Sequence, residues 1–194
     1  MNNNLNTSYK NRLIDEKISK YLTIFGGLVI EGPKWCGKTW TALHHAKSVS
    51  YLTDNNVRNL ALSDPKLIFN EERPQLIDEW QLAPCIWDAA RLECDLSGHK
   101  GNFILTGSTT LQKEDEDMVE HSGAGRFCTF KMYPMSLYES GDSTGSVSLK
   151  DLFNNKNISE HVDALDLKQI AYLVIRGGWP ANIGVSEDLA GVIP

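Results

Sequence analysis

Gly32-Pro-Lys-Trp-Cys-Gly37-Lys38-Thr39 spells G-x-x-x-x-G-K-[ST] without a mismatch. Each part of that spelling has a chemical reason. Glycine lets a backbone curl tightly around an anion with its N–H groups pointing inward. A helix that starts directly after the loop turns its positive N-terminal end to the same anion. Lys38 is placed to reach the β- and γ-phosphates of a nucleotide, and Thr39 to offer its hydroxyl to Mg²⁺. The residues expected to cradle the phosphates are therefore Gly32, Pro33, Lys34, Trp35, Cys36, Gly37, Lys38 and Thr39, with Trp40 at the exit of the loop. The plain alternative is a glycine-rich turn before a helix. The full match, preceded by an apolar run and followed by a helical pattern, argues against it.

Asp78 and Glu79 end the stretch Leu76-Ile77-Asp78-Glu79. An aspartate at the end of a buried strand can hold the Mg²⁺ shell, and a glutamate beside it can polarise the attacking water. Apolar-then-acid pairs are common at strand ends, so the phosphate loop upstream is what gives this pair its meaning. Asn102-Phe-Ile-Leu-Thr106-Gly107-Ser108 ends a further apolar run in hydroxyls. Ligands collect at the C-terminal ends of parallel strands, so Thr106 or Ser108 can bond the water or the γ-phosphate. An ordinary strand-to-turn reading fits those residues equally well. Arg126, in Ser122-Gly-Ala-Gly-Arg126, can stabilise a transferring phosphoryl group from a neighbouring subunit, an effect worth about 10³–10⁵ in rate. Its bland alternative is a surface salt bridge to the acids Glu114–Asp117. The candidate catalytic residues are thus Lys38, Glu79 and Arg126, and the candidate magnesium ligands Thr39 and Asp78.

These groups need a scaffold. Leu28–Ile30 is wholly apolar, as in a central strand covered on both faces. Gln75–Asp78 and Asn102–Thr106 read the same way, and Val49–Leu52 and Phe127–Met132 complete a set of five strands. Between them lie helical patterns. Tyr9–Leu22 carries Leu13, Ile14, Ile18 and Leu22 near helical spacing. Thr39–Ser48 follows the loop, Asn56–Asn70 is interrupted near Pro65, and Pro84–Leu96 has its proline near the start. Strands alternating with helices predict a parallel α/β sheet. Beyond Pro134 the texture changes to a polar loop, short helices over Leu149–Asn154 and Leu165–Ile175, and then Arg176-Gly-Gly-Trp-Pro180.

The 194 residues, 41% hydrophobic and 23% charged, suffice for one good-sized globular domain, or for one domain and part of another. A net charge of −6 argues against a chain that is mainly a binder of nucleic acid or acidic membranes. Lys10, Arg12, Lys17 and Lys20 are diluted by Asp15 and Glu16, which gives only weak support to a DNA-binding arm. Cys36, Cys85, Cys94 and Cys128 form no C-x-x-C pair, so no zinc site is expected. Without a signal core or a membrane-length run, the expectation is a cytoplasmic protein with reduced thiols. Cys36 sits inside the loop and is a candidate for oxidation. His44 and His45 read as one exposed and one partly packed residue. For Trp35 packing is favoured over shielding of a nucleotide.

Together with RPQLIDEWQLAP, ILTGST, GAGRFCTFKMYPMSLYES, GSVSLKDLF and RGGWPA, the phosphate loop resembles the AAA+ ATPases. Within them it resembles a prokaryotic group of ATP-binding proteins in which an N-terminal AAA+ module precedes a C-terminal domain of unknown function. The likeness runs from about Gly26 to Ala181. It implies an α/β P-loop NTPase fold: a five-stranded parallel sheet in the order 5-1-4-3-2, flanked by helices, with a small helical lid. The implied domains are an N-terminal helical extension over 1–24, an ATPase core over 25–134, and a lid over 135–194 with the start of a C-terminal region absent here.

The resemblance also implies ATP and Mg²⁺ as cofactors, a homo-oligomer, and a DNA or protein client reached through the absent region. Pro180, in Gly178-Trp179-Pro180, would pack on the adenine, and Arg176 would be a lid-borne phosphate sensor; a helix cap followed by a proline stop is the plain reading. The expected function is ATP hydrolysis that drives conformational change in an attached or partner domain. The alternative is a signalling-type switch that binds ATP or ADP with little turnover. A small-molecule kinase is less well supported, because no acceptor-site signature is evident.

Overall fold

A computed structural model describes residues 9–70, 72–107, 123–156 and 165–190. The chain divides into two compact units, Met1–Tyr133 and Pro134–Pro194.

In the first unit, α1 (Asp15–Leu22) leads into β1 (Gly27–Glu31), α2 (Lys38–His45), β2 (Ser48–Tyr51) and α3 (Asn55–Ser63). Then come β3 (Gln75–Asp78), α4 (Cys85–Ser97), β4 (Phe103–Gly107) and β5 (Phe127–Lys131), with 3₁₀ turns over Pro65–Ile68 and Trp80–Leu82. All strand pairs are parallel, and the order β2-β3-β4-β1-β5 is the expected 5-1-4-3-2 read from the other edge.

Burial explains the order. Leu28, Val29, Ile30, Leu76, Ile77, Phe103, Ile104 and Leu105 are almost wholly buried, as required of strands covered by helices on both faces. Each such side chain contributes about 1.5–3 kcal/mol relative to exposure. The edge strands β2 and β5 are only partly covered. Thr106 pairs in register with both Ile30 and Asp78, and Gly107 with Glu31. The C-terminal ends of β1, β3 and β4 are therefore flush, and whatever follows them shares one rim.

Several elements differ in extent from the sequence reading. The helix expected from Tyr9 begins only at Asp15, because Asp15 Oδ2 accepts the Arg12 N–H at 2.7 Å and the Tyr9 and Arg12 side chains are engaged elsewhere. The helix after the loop ends at His45, since Ala46 is already extended (φ −89°, ψ 152°) to start β2. The stretch Asn56–Asn70 splits at Pro65, with Asp64 accepting from the Lys66 N–H to open the 3₁₀ turn.

The second unit holds α5 (Leu137–Ser140), α6 (Leu149–Phe153) and α7 (Leu167–Arg176). The sequence reading did not anticipate α5, which is one turn closed by a Ser136–Glu139 capping box. An Asp166–Gln169 capping box starts α7. After it, Gly177 takes φ 63° and Pro180 opens a 3₁₀ turn to Asn182. Among the described residues no helix is long and apolar enough to cross a membrane.

Candidate functional site

The loop leaving β1 is shaped by contacts that only glycine permits. A Cβ on Gly32 would stand 2.3 Å from the Met132 carbonyl oxygen. Gly37, at the N-cap of α2, has φ 100°, and Trp35 is also left-handed at φ 67°. The chain thereby wraps into the turn that α2 continues. Lys38 is buried and folds back across this turn, donating from Nζ to the Gly32 carbonyl at 2.9 Å and the Pro33 carbonyl at 3.1 Å. Its ammonium thus lies inside the loop, where an anion would be held. The Cys36 side chain is fully buried, with Sγ 3.8 Å from the Met132 carbonyl. Burial pushes its thiol above the ordinary value, against the smaller pull of the Lys38 charge.

Asp78 ends β3 beside this loop. Its Oδ1 accepts from Thr39 Oγ1 at 2.8 Å and from Thr106 Oγ1 at 2.6 Å. Two hydroxyls from different elements therefore fix one carboxylate. Thr39 and Asp78 bring hard oxygen donors into contact, the kind of partner Mg²⁺ accepts alongside phosphate oxygens. Glu79 follows in the left-handed region (φ 56°, ψ 48°), and its N–H donates to Thr106 Oγ1 at 3.3 Å. Gln81 Nε2 donates to the Glu79 carboxylate.

An N-terminal segment grips the same loop. Arg12, 8% exposed, donates from Nη1 to the Cys36 carbonyl at 2.9 Å and from Nη2 to the Tyr133 carbonyl at 2.8 Å. Tyr9 stacks on His44, with ring centroids 4.3 Å apart, and its hydroxyl reaches Asp15 Oδ1 at 2.8 Å and Thr41 Oγ1 at 3.2 Å. His45 Nε2 lies 3.1 Å from Asp15 Oδ1. Burial works against the Asp15 charge, but hydrogen bonds from His45, the Arg12 N–H and Tyr9 outweigh it and hold the carboxyl below its usual range.

The AAA domain family profile matches residues 25–141, which include the loop, the acid pair and all five strands. The chain belongs to the AAA domain family. Among solved structures, AMPPCP-bound DnaA from Aquifex aeolicus is similar to it, with a TM-score of 0.52 at 13% identity. The match covers 93% of this chain and 61% of that DnaA chain, so the sequence spans less than two thirds of its length. At such low identity the likeness is one of fold: both carry the AAA+ P-loop architecture. No curated protein sequence matches the chain.

Within this AAA domain, Gly32 to Thr39, Asp78, Glu79 and Thr106 converge at one rim of the sheet. Thr106 is fully buried, and its hydroxyl donates to Asp78 Oδ1. Ser108 and the acids Glu114–Asp117 lie outside the described residues. Trp35 is 56% exposed, with Lys34 Nζ 5.2 Å from its ring, so it does not pack in the core as expected; Trp40 is exposed as well.

Arg126 sits at the opposite rim. Its carbonyl accepts the Gly27 N–H at 3.1 Å, at the start of β1, and its Nε bonds Asp95 Oδ1 at 2.7 Å. A five-residue strand separates it from the loop, about 16 Å at ~3.3 Å per residue. It therefore cannot serve the phosphate loop of its own chain. In the second unit Pro180 opens its 3₁₀ turn, while buried Arg176 is paired with Asp142 at 2.7 Å.

The sequence reading missed Arg12, Tyr9 and Gln81 as parts of the site. Gln81 carried a faint signal, being the one polar residue soon after the acid pair. Arg12 and Tyr9 carried none, because the loop, α2 and β5-end groups they bond lie 24 to 121 residues away.

Proposed function

We propose that this AAA domain binds ATP with Mg²⁺ and hydrolyses it, and that the chain works as a homo-oligomer whose subunits share their catalytic groups. The contact that carries the reading is Thr39 Oγ1 to Asp78 Oδ1 at 2.8 Å, with Glu79 next in the chain. It sets a hydroxyl of the loop against a candidate metal-binding carboxylate, with a candidate base next in the chain and a lysine folded into the loop. Mg²⁺ held by Thr39 and Asp78 would offset the charge that builds on the phosphates. Lys38 would draw the β- and γ-phosphates into the loop, and Glu79 would accept the proton of the attacking water. That the DnaA structure of like fold holds AMPPCP supports an adenine nucleotide as the ligand.

The position of Arg126, on the far rim and 48% exposed, supports delivery to a neighbouring subunit's nucleotide, displacing its bond to Asp95. Pro180 would pack on the adenine. Turnover would drive conformational change in an attached or partner domain, acting on a DNA or protein client in the cytoplasm.

The decisive experiment is steady-state ATPase and nucleotide binding for the wild type, Lys38→Ala and Glu79→Gln. Lys38→Ala should lose binding; Glu79→Gln should keep ATP and stall. Turnover per subunit should rise with protein concentration and fall in Arg126→Ala. Wild-type turnover in Glu79→Gln would overturn the assignment of the base. Copurified ADP with negligible turnover would favour a nucleotide-dependent switch.

A further inference from the structure

Glu79 adopts a left-handed backbone conformation, φ 56°, that a residue with a side chain rarely takes. It caps the turn Trp80–Leu82, and that turn folds Gln81 back onto the Glu79 carboxylate, where Nε2 donates to Oε2. The other end of the amide is less well served. Gln81 Oε1 is buried and accepts no hydrogen bond from any described residue. It lies where Gly107, the last residue of β4, has no side chain: a Cβ there would stand 2.8 Å from Oε1 and 3.2 Å from Trp80 Nε1. A bare strand end thus makes room for the amide, on the rim where Asp78 and Thr106 pair in register.

A buried carbonyl without a donor is destabilising, because it has given up its water without a replacement. Gln81 accepts that cost, and Glu79 its backbone strain, to keep one hydrogen bond between them. Buried unmet groups and left-handed non-glycine residues gather where function dictates geometry. We propose that Gln81 is a positioning residue for Glu79, fixing the carboxylate in the orientation from which it takes the proton of the attacking water. Gln81 does not touch the nucleotide; it acts through Glu79. The inference rests on the hydrolytic reading above.

The test is a double-mutant cycle on kcat and ATP affinity. It uses the wild type, Glu79→Gln, Gln81→Met and the double variant, with the shape-conserving Gln81→Glu as a second probe should Gln81→Met fail to fold. Misplacing a reacting group by about 1 Å slows turnover by up to about 10²-fold. Gln81→Met should therefore lower kcat roughly 10- to 100-fold. The ATP dissociation constant, read with a fluorescent ATP analogue, should stay within about twofold, as expected of a group acting only in the transition state. Gln81→Glu should do the same, since it sets a second carboxylate against Glu79. The double variant should be no slower than Glu79→Gln alone, because removing the base removes what Gln81 acts on.

Undiminished kcat in both Gln81 variants, a rise in kcat, or a double variant slowed by the product of the single effects would overturn the proposal. If wild-type turnover is lost in Glu79→Gln while the Gln81 variants match the wild type, only this inference falls. If the wild type shows no Glu79-dependent turnover, the hydrolytic reading falls and takes the inference with it.

Discussion

Arg12 Nη1 donates to the Cys36 carbonyl at 2.9 Å, so a residue ahead of the first strand holds the inside of the phosphate loop. Its other arm, Nη2, donates at 2.8 Å to the Tyr133 carbonyl, two residues past the end of β5. One planar fork thus links the loop to the end of the edge strand beside β1. The guanidinium is buried, which leaves it unavailable to a DNA backbone, and Tyr9 and Arg12 are tied to α2 and the phosphate loop.

Arg12→Ala leaves two carbonyls without their donor. Hydrogen bonds to a charged group are worth about 1.5–3 kcal/mol each when lost from a buried site. The variant should melt roughly 6–24 °C lower, taking about 3–6 kcal/mol for the two bonds at 2–4 °C per kcal/mol, and should bind ATP more weakly because the Cys36 peptide is no longer held. Arg12→Lys should not restore either property, since an ammonium lacks the two-pronged geometry. Thermal melts and nucleotide titration check this; a lysine variant equal to wild type would refute the fork.

Gly32→Ala and Gly98→Ala should separate loop shape from backbone strain. At Gly32 the added Cβ would be 2.3 Å from backbone, the Met132 carbonyl oxygen, so β5's end or the loop must move. At Gly98 the Cβ meets nothing within 4 Å, and only the left-handed φ of +65° opposes it, about 1–2 kcal/mol. Gly98→Ala should melt slightly lower and bind ATP normally. Gly32→Ala should lose ATP affinity by far more than its stability explains. Equal nucleotide affinity in the two variants would mean that Gly32 is not shaped by Met132.

The parts of this site that were legible in the sequence are those whose chemistry is local. The loop from Gly32 to Thr39, Asp78 and Glu79 are short stretches, each spelled by what a phosphate or a metal requires, and the buried strands betrayed themselves as unbroken apolar runs. Helix bounds were less legible where tertiary contacts override propensity: Tyr9 to Ile14 carries a helical pattern, but Arg12 and Tyr9 are drawn into the loop and α2. Thr106 was visible as a hydroxyl at a strand end, whereas its partner was not, because a β3–β4 register decides it. Arg126 was recognisable from its glycine-rich setting; its place on the far rim follows only from the direction of β5.

Cys36 should be chemically quiet despite its place in the loop. It is fully buried, and burial raises its thiol, so the thiolate that reacts is scarce near pH 8. Cys94 is buried as well, and burial pushes its thiol up, whereas Cys85 and Cys128 are only partly covered. Iodoacetamide at pH 8 followed by peptide mapping should label Cys85 and Cys128 ahead of Cys36 and Cys94 in the native protein, and all four after unfolding. Native labelling of Cys36 as fast as in the unfolded chain would contradict the packing of the loop against Met132.

Asp15 should make the N-terminal grip sensitive to acid. Its carboxyl is held below the ordinary range: burial opposes the charge, and hydrogen bonds from His45, the Arg12 N–H and Tyr9 overcome it. A folded-state value lower than the unfolded one means that the unfolded chain takes up the proton first as pH falls. Stability from this group is therefore full above the ordinary carboxylate value of about 3.9 and drains away as pH drops through the lowered folded value. Asp15→Asn should cost on the order of 1–2 kcal/mol at pH 7. The gap to wild type should hold from pH 7 down to about pH 4 and narrow below it, as wild type loses what the variant never had. Urea denaturation of both proteins across that range measures the gap directly; one that stays constant down to the acid limit of folding would show that the charge on Asp15 contributes nothing to holding Arg12, Tyr9 and His45 in place.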